Sequence, residues 1–327
     1  MTHSDIIYVD FSILSTFRQC EEKGRLSYVE HYQPLQERAP LSFGSAFHAG
    51  IAEFYKSLAR GNDRVTSATY AKKGFIADLR NINSCLPISM ESDEKRSVER
   101  GLTLLDAYIE TYKNENYENY CRPDTGEPYV EIGFAVYFMD WRGTPVVYVG
   151  RIDRIMRNRV DGRLYNFETK TTASGLTQYV KQVRPNHQVT GYHFAAREML
   201  KLDVVGTVWD CIFVSDRQPK PDSSDVWLQR GIDIKKDLAR HETRRSATDI
   251  EEFLYDLEMT TTRYLTLRES TLRRWTRNAP TACHMYGGCQ FVDVCSTNLN
   301  ENVLRTKFVV KPWEPWKGIT EGKAQNG

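Results

Sequence analysis

Gly150-Arg151-Ile152-Asp153 and Phe167-Glu168-Thr169-Lys170 flank Asp161-Gly162, a dipeptide that favours tight hairpin turns, with extended apolar sequence on both sides. With Asp161 and Gly162 as the two loop residues, residue 160 pairs with 163 and Asp153 lies opposite Lys170. Glu168 falls two residues along on the same face, while Tyr165 and Phe167 point to the other. Asp, Glu and Lys therefore converge. Two carboxylates at cross-strand distance repel unless something neutralises them, and a hard divalent cation with oxygen ligands does so. A lysine beside that cation can orient or deprotonate a water, or stabilise charge developing on a phosphate. The competing reading is a surface hairpin in which Asp153 and Lys170 form an ordinary cross-strand ion pair. A bulge or a longer loop would break the register.

Other segments accompany the hairpin. Gln188 and Tyr192 stand four residues apart on an expected helix and so share a face. Upstream lies Gly44-Ser45-Ala46-Phe47-His48. Near the N-terminus runs Leu14-Ser15-Thr16-Phe17-Arg18-Gln19-Cys20, followed by Arg25 and Tyr28. Asp153 with Glu168-Thr169-Lys170 resembles the core of the PD-(D/E)XK nuclease superfamily. Gln-x-x-x-Tyr, the small-residue helix with its histidine and the opening helix are similar to features of its RecB-like branch, and they occur in that branch's order.

The resemblance implies a restriction-endonuclease-like α/β fold, a mixed central sheet flanked by helices. It implies a metal-dependent DNA exonuclease using Mg2+ or Mn2+, with DNA ends as substrate. The setting it implies is recombination, end processing or repair, in a phage or mobile element, with a helicase or recombination protein as partner. Asp153, Glu168 and Lys170 would be catalytic, with His48, Asp153 and Glu168 holding the metal and Gln188 and Tyr192 holding the DNA. From the residues alone, His48 beside the stripe Phe47, Ile51, Phe54 and Leu58 reads as a core or boundary histidine.

Seven cysteines are present, and no signal peptide or long apolar stretch accompanies them. That combination argues for a reducing, cytoplasmic setting without disulfides or membrane insertion. Cys283, Cys289 and Cys295 form a cluster within thirteen residues; a fourth thiolate would complete an iron–sulfur or zinc site. The resemblance supplies Cys20, because RecB-like nucleases with a 4Fe-4S cluster, CRISPR-associated ones among them, place one ligand before the nuclease core and three after it. The chain departs from that pattern by having five residues rather than two between Cys283 and Cys289, which leaves His284 as a substitute for Cys283. Cys85, Cys121 and Cys211 have no partners in sequence and read as buried, unligated thiols.

Composition sets further bounds. A chain of 327 residues with 40% hydrophobic content can bury a sizeable core, and a net charge of +1 gives no global basic signal. Nucleic acid would have to meet local patches. The best is Leu272-Arg273-Arg274-Trp275-Thr276-Arg277, for which a solvated helix face is the alternative. Lys235, Lys236, Arg240, Arg244 and Arg245 read as helical surface. No phosphate-binding glycine loop appears, which argues against a built-in ATP motor.

The pattern predicts one nuclease domain over residues 1–310, with a helical insertion at about 63–120, a cysteine-rich segment at 283–295 and an extended or mobile tail at 311–327. Strands are expected near 129–138, 146–157, 163–171 and 204–215, with helices near 186–201 and 246–278 and Ser12 or Ser15 capping the first helix. Glu131, opening the first of those strands and facing away from Ile132 and Phe134, reads as an edge carboxylate, with support of the metal site as the alternative. Two other classes remain: a DNA-binding or scaffold subunit that keeps the fold without cutting, and a zinc-binding interaction protein.

Overall fold

The structure, a computed structural model, describes residues 6–35, 39–85, 96–184, 186–271, 275–284, 288–314 and 319. Along the chain, β1 (Ile7–Asp10), α1 (Phe11–Gln19), α2 (Glu21–Gly24) and β2 (Tyr32–Pro34) precede three long helices, α3 (Ala39–Ala59), α4 (Arg64–Cys85) and α5 (Val98–Thr111). Strands β3 (Tyr117–Asn119), β4 (Val130–Trp141), β5 (Thr144–Asn158) and β6 (Leu164–Thr172) follow. Helices α6 (Leu176–Val180) and α7 (His187–Ala195) cross to β7 (Val204–Phe213), and α8 (Val226–Gln229) and α9 (Ile234–Asp237) lead to β8 (Leu238–Thr243). Then come α10 (Ala247–Glu269), α11 (Thr281–His284), α12 (Val292–Ser296), α13 (Glu301–Lys307) and β9 (Phe308–Val310).

Among the described residues, seven strands form one mixed sheet: β1 runs parallel to β5 and β6 parallel to β7, whereas β5–β6 and β7–β8 are antiparallel. This is the expected α/β architecture, a central sheet flanked by helices. The chain divides into two compact units, one of Gln36–Ile132 with Arg151–Ser246, the other of Met1–Leu35, Gly133–Gly150 and Ala247–Gly327.

In the first unit, the stripe Phe43, Phe47, Ile51 and Phe54 is buried, as helical periodicity requires, and it packs with Phe75 and Leu105 against Tyr165, Phe167 and Val208 of the sheet. Each such side chain contributes about 1.5–3 kcal/mol on burial. Helix α7 covers the other face: His193 bonds to Thr207, whose parallel-paired neighbour Asn166 shares a face with Glu168.

The hairpin differs from its two-residue form. Asn158 N–H donates to Arg163 O at 2.9 Å, so four residues make the loop, and Arg154 pairs with Phe167. Extending that register by one sets Asp153 opposite Glu168, not Lys170. The shift is by two residues, so every side chain keeps its face.

Of the basic run, Lys235 and Lys236 are exposed on the short helix α9 as expected, but Arg240 is not on a helical surface. Arg240 lies on β8, where it bonds to Asp210 (2.6 Å) and Glu115 (2.5 Å). Arg154 pairs with the same Asp210 and donates to Thr169 Oγ1 at 2.9 Å. Tyr108 donates to Asp210 at 2.6 Å, closing a buried network beneath the sheet.

In the other unit, Asp10 rather than a serine caps α1, accepting from Ile13 N–H at 2.7 Å. Burial pushes its carboxyl up to about 6, and the Trp313 indole N–H donates to it at 3.0 Å, which anchors the start of the tail. Helix α1 packs on α10 through Phe17 and Tyr264, whose ring centroids are 5.6 Å apart. Trp275, the aromatic residue of the candidate basic patch, is half-buried and packs edge-on against Phe17 at 6.0 Å. Leu272, Arg273 and Arg274 of that patch lie outside the described residues, as do 315–318 and 320–327 of the tail.

Candidate active site

All the residues that converge here belong to the unit containing α3 and β6. Helix α3 is drawn onto the sheet by Gly44, where an added Cβ would come 3.2 Å from Thr171 Oγ1. One turn later His48 reaches Asp153 on β5, with Nδ1 3.2 Å from Oδ2. The same Oδ2 accepts the Thr169 backbone N–H at 2.8 Å, so β6 fixes the rotamer of a β5 carboxylate. Next to Thr169, Lys170 Nζ lies 2.5 Å from Glu168 Oε1. That contact is an ion pair without hydrogen-bond alignment, and both Glu168 oxygens are buried without a hydrogen-bond partner among the described residues.

Glu131 completes the group. Ligand atoms of His48, Glu131 and Asp153 lie within 4.8 Å of one another, with Glu168 outside that triplet. Glu131 has φ +56, a left-handed conformation that costs strain in a side-chain-bearing residue and recurs where function demands it. Glu131 faces away from the buried Val130, Ile132 and Phe134, as alternation requires, and that face places it beside Asp153, the second of the two roles open to it in the sequence. Its sequence signal was a carboxylate opening a strand on that face.

The electrostatics follow from crowding. Burial and the Asp153 charge push Glu168 up to about 7, and the same two causes raise Glu131. Burial would raise Asp153, but His48 and Lys170 outweigh it and hold the carboxyl low. Burial likewise would lower His48, and the Asp153 charge and hydrogen bond reverse that. Burial opposes the charge on Lys170, but Glu168 and Asp153 keep its pKa raised, so the ammonium persists at any ordinary pH. An imidazole and carboxylates in this arrangement suit a divalent cation, and Glu168 Oε2, buried without a hydrogen-bond partner among the described residues, fits one nearby.

Gln188 and Tyr192 share a face of α7, where Gln188 Nε2 donates to Tyr192 Oη at 2.7 Å. Tyr192 is buried, so the pair is held rather than loose. The cysteines lie in the other unit. Burial raises the Cys295 thiol, and Cys289 and Cys20 are close enough to raise it further. Cys289 N–H donates to Cys283 O at 2.8 Å. No three of these sulfurs lie within 4.8 Å of one another. Cys211 is buried and Cys121 half-buried; both are free, and the side chain of Cys85 lies outside the described residues. No described helix is long and apolar enough to cross a membrane.

Comparison with curated protein sequences gave no match. Among solved structures, that of a Eubacterium rectale protein provisionally named an exonuclease is similar at 10% identity with a TM-score of 0.48, covering 95% of this chain and 92% of the other. The sequence pattern of the PD-(D/E)XK nuclease superfamily matches residues 10–296. That match runs through α3, both strands of the carboxylate hairpin and α7, and with it the chain belongs to the PD-(D/E)XK nuclease superfamily.

Proposed function

We propose that the protein is a divalent-metal-dependent DNA nuclease acting on DNA ends, with His48, Glu131 and Asp153 holding the cation and Glu168 beside it. The observation that carries this reading is the convergence of His48, Glu131 and Asp153 next to the buried Glu168 and its half-buried partner Lys170. A bound Mg2+ or Mn2+ supplies Lewis acidity and an acidified water. Asp153 is fixed by Thr169 N–H and so presents one orientation to a ligand. Lys170 stays protonated, which suits it to stabilise charge developing on a phosphate rather than to remove a proton. Gln188 and Tyr192, already bonded to each other, offer a rigid polar edge for a DNA strand.

The exonuclease assignment rests on the RecB-like resemblance, as does the role in recombination or repair. It also supports a 4Fe-4S cluster on Cys20, Cys283, Cys289 and Cys295. A single zinc ion with bonds of ~2.3 Å would gather its sulfurs to within roughly 4 Å of one another. Zinc is the alternative occupant, and analysis for iron and acid-labile sulfide separates the two.

The test is digestion of end-labelled linear and closed circular DNA with magnesium, manganese or chelator. Metal-dependent loss of linear DNA alone is expected, and Asp153→Ala and Lys170→Ala should each lose cleavage by at least about a hundredfold with folding retained. Undiminished turnover in Lys170→Ala would remove this site from consideration.

A further inference from the structure

A cavity of about 570 Å³ opens beside the candidate metal site, between α3 and α4. His48 and Glu131 line one part of it, and Tyr70 and Lys73 of α4 line another. The two helices approach closely because Gly74 faces α3: a Cβ there would come 3.0 Å from Ala49 O and 2.9 Å from Glu53 Cγ. Small side chains therefore form the floor, and the charged and aromatic groups form the walls.

Three features of those walls select a ligand. Tyr70 is a large aromatic side chain left 39% exposed, with the Lys73 ammonium 5.6 Å from its ring centroid. Lys56 and Arg151 add cations, each held by a carboxylate, Glu53 at 3.1 Å and Glu131 at 3.4 Å. Asp78 Oδ2 is buried without a hydrogen-bond partner among the described residues, an acceptor awaiting a donor. A phosphate would be repelled by Asp78 but attracted by the cations, whereas a base N–H, a ring imino group included, or a sugar hydroxyl can donate to that carboxylate. A ligand with an anionic backbone and a flat, donor-bearing edge fits both demands.

We infer that this groove receives an unpaired nucleotide of the substrate strand, with Tyr70 stacking on its base and Lys73 beside the backbone phosphates. The inference rests on the nuclease reading and sharpens it: the strand entering the site is single there. A base inside a duplex is stacked on both faces and offers none to a tyrosine, whereas an unpaired base does.

The experiment measures fluorescence anisotropy of a labelled oligothymidylate on the full chain in calcium, with steady-state cleavage in magnesium alongside. Tyr70→Ala and Lys73→Ala should each weaken binding and raise KM about tenfold, with kcat within about twofold. Lys73→Ala should also flatten the dependence of log affinity on log salt by about 0.7, the signature of one lost phosphate contact. Both positions are exposed, and matching melting curves would exclude misfolding. Unchanged affinity, KM and salt slope in both variants would overturn the groove assignment, as would equal competition by a blunt duplex. If the wild type cuts no DNA while oligonucleotide binding still depends on Tyr70 and Lys73, the nuclease reading falls and the groove stands.

Discussion

Asp153 Oδ2 serves His48 and the Thr169 amide at once, and a metal ion would have to share it. In the metal-free protein the imidazole proton on His48 occupies the role a cation would take, because the Asp153 charge keeps it bound. Metal and proton therefore compete. Apparent metal affinity should rise with pH, and calorimetry in buffers of different ionisation enthalpy should show proton release on Mn2+ binding. Glu131→Gln should weaken Mn2+ binding at least about tenfold, since it removes one charged oxygen of three ligands. Calorimetry showing unchanged affinity would return Glu131 to its edge role. That residue shows where sequence reading stops. Alternation along a strand can be counted from residue types, but a left-handed φ at a glutamate is imposed by the surrounding fold and leaves no trace in the local pattern.

The hairpin and α7 show how much was legible among the elements. Face assignments on β5 and β6 survived a misjudged loop because the error was an even number of residues. Gln188 and Tyr192 were legible as one face because four residues make nearly one helical turn. The strand β8 was not, because its charges suggested a solvated helix while Arg240 is satisfied by buried carboxylates far away in sequence. Helix α7 is anchored by His193, whose Nδ1–H donates to Val204 O at 3.2 Å while Nε2 accepts from Thr207 Oγ1–H at 3.0 Å. Burial, and Arg245 nearby, lower its pKa to about 4 from an ordinary 6.5. A base with a depressed folded pKa contributes stability above pH 6.5, and that contribution is lost as pH falls towards 4. The predicted loss is about 3 kcal/mol at most. Denaturant titrations at pH 7 and 4.5 should show it, and His193→Gln should reduce that difference. An unchanged slope would place the acid sensitivity elsewhere.

For the molecule as a whole, the resemblance implies that thiols from opposite ends of the chain meet, and both ends lie in one compact unit. A cluster tied to Cys20 and Cys295 would close a very long loop, so metal binding there becomes folding free energy. Protein purified without oxygen should be brown, with iron and acid-labile sulfide, and Cys20→Ser should lose the colour and melt lower. Colour that survives Cys20→Ser but not Cys289→Ser would assign the fourth ligand elsewhere. Cys283→Ser tests the unusual spacing, since retained iron would point to His284. The order of the four cysteines along the chain was legible, but which sulfurs approach one another was not, because that depends on packing between segments hundreds of residues apart.

The Arg154–Asp210–Arg240–Glu115 network has a consequence for how such a chain can vary through descent. The charges of these four residues offset one another, so losing Asp210 alone leaves the buried Arg154 without a carboxylate partner and Arg240 with Glu115 alone, at a cost of about 3–5 kcal/mol. Asp210→Asn should lower the unfolding free energy by that order. A concerted apolar replacement of the whole set can be far milder, because no charge is then stranded. The four positions should therefore behave as a single trait: exchanging the set together keeps the fold stable, whereas routes that change one member at a time pass through destabilised intermediates.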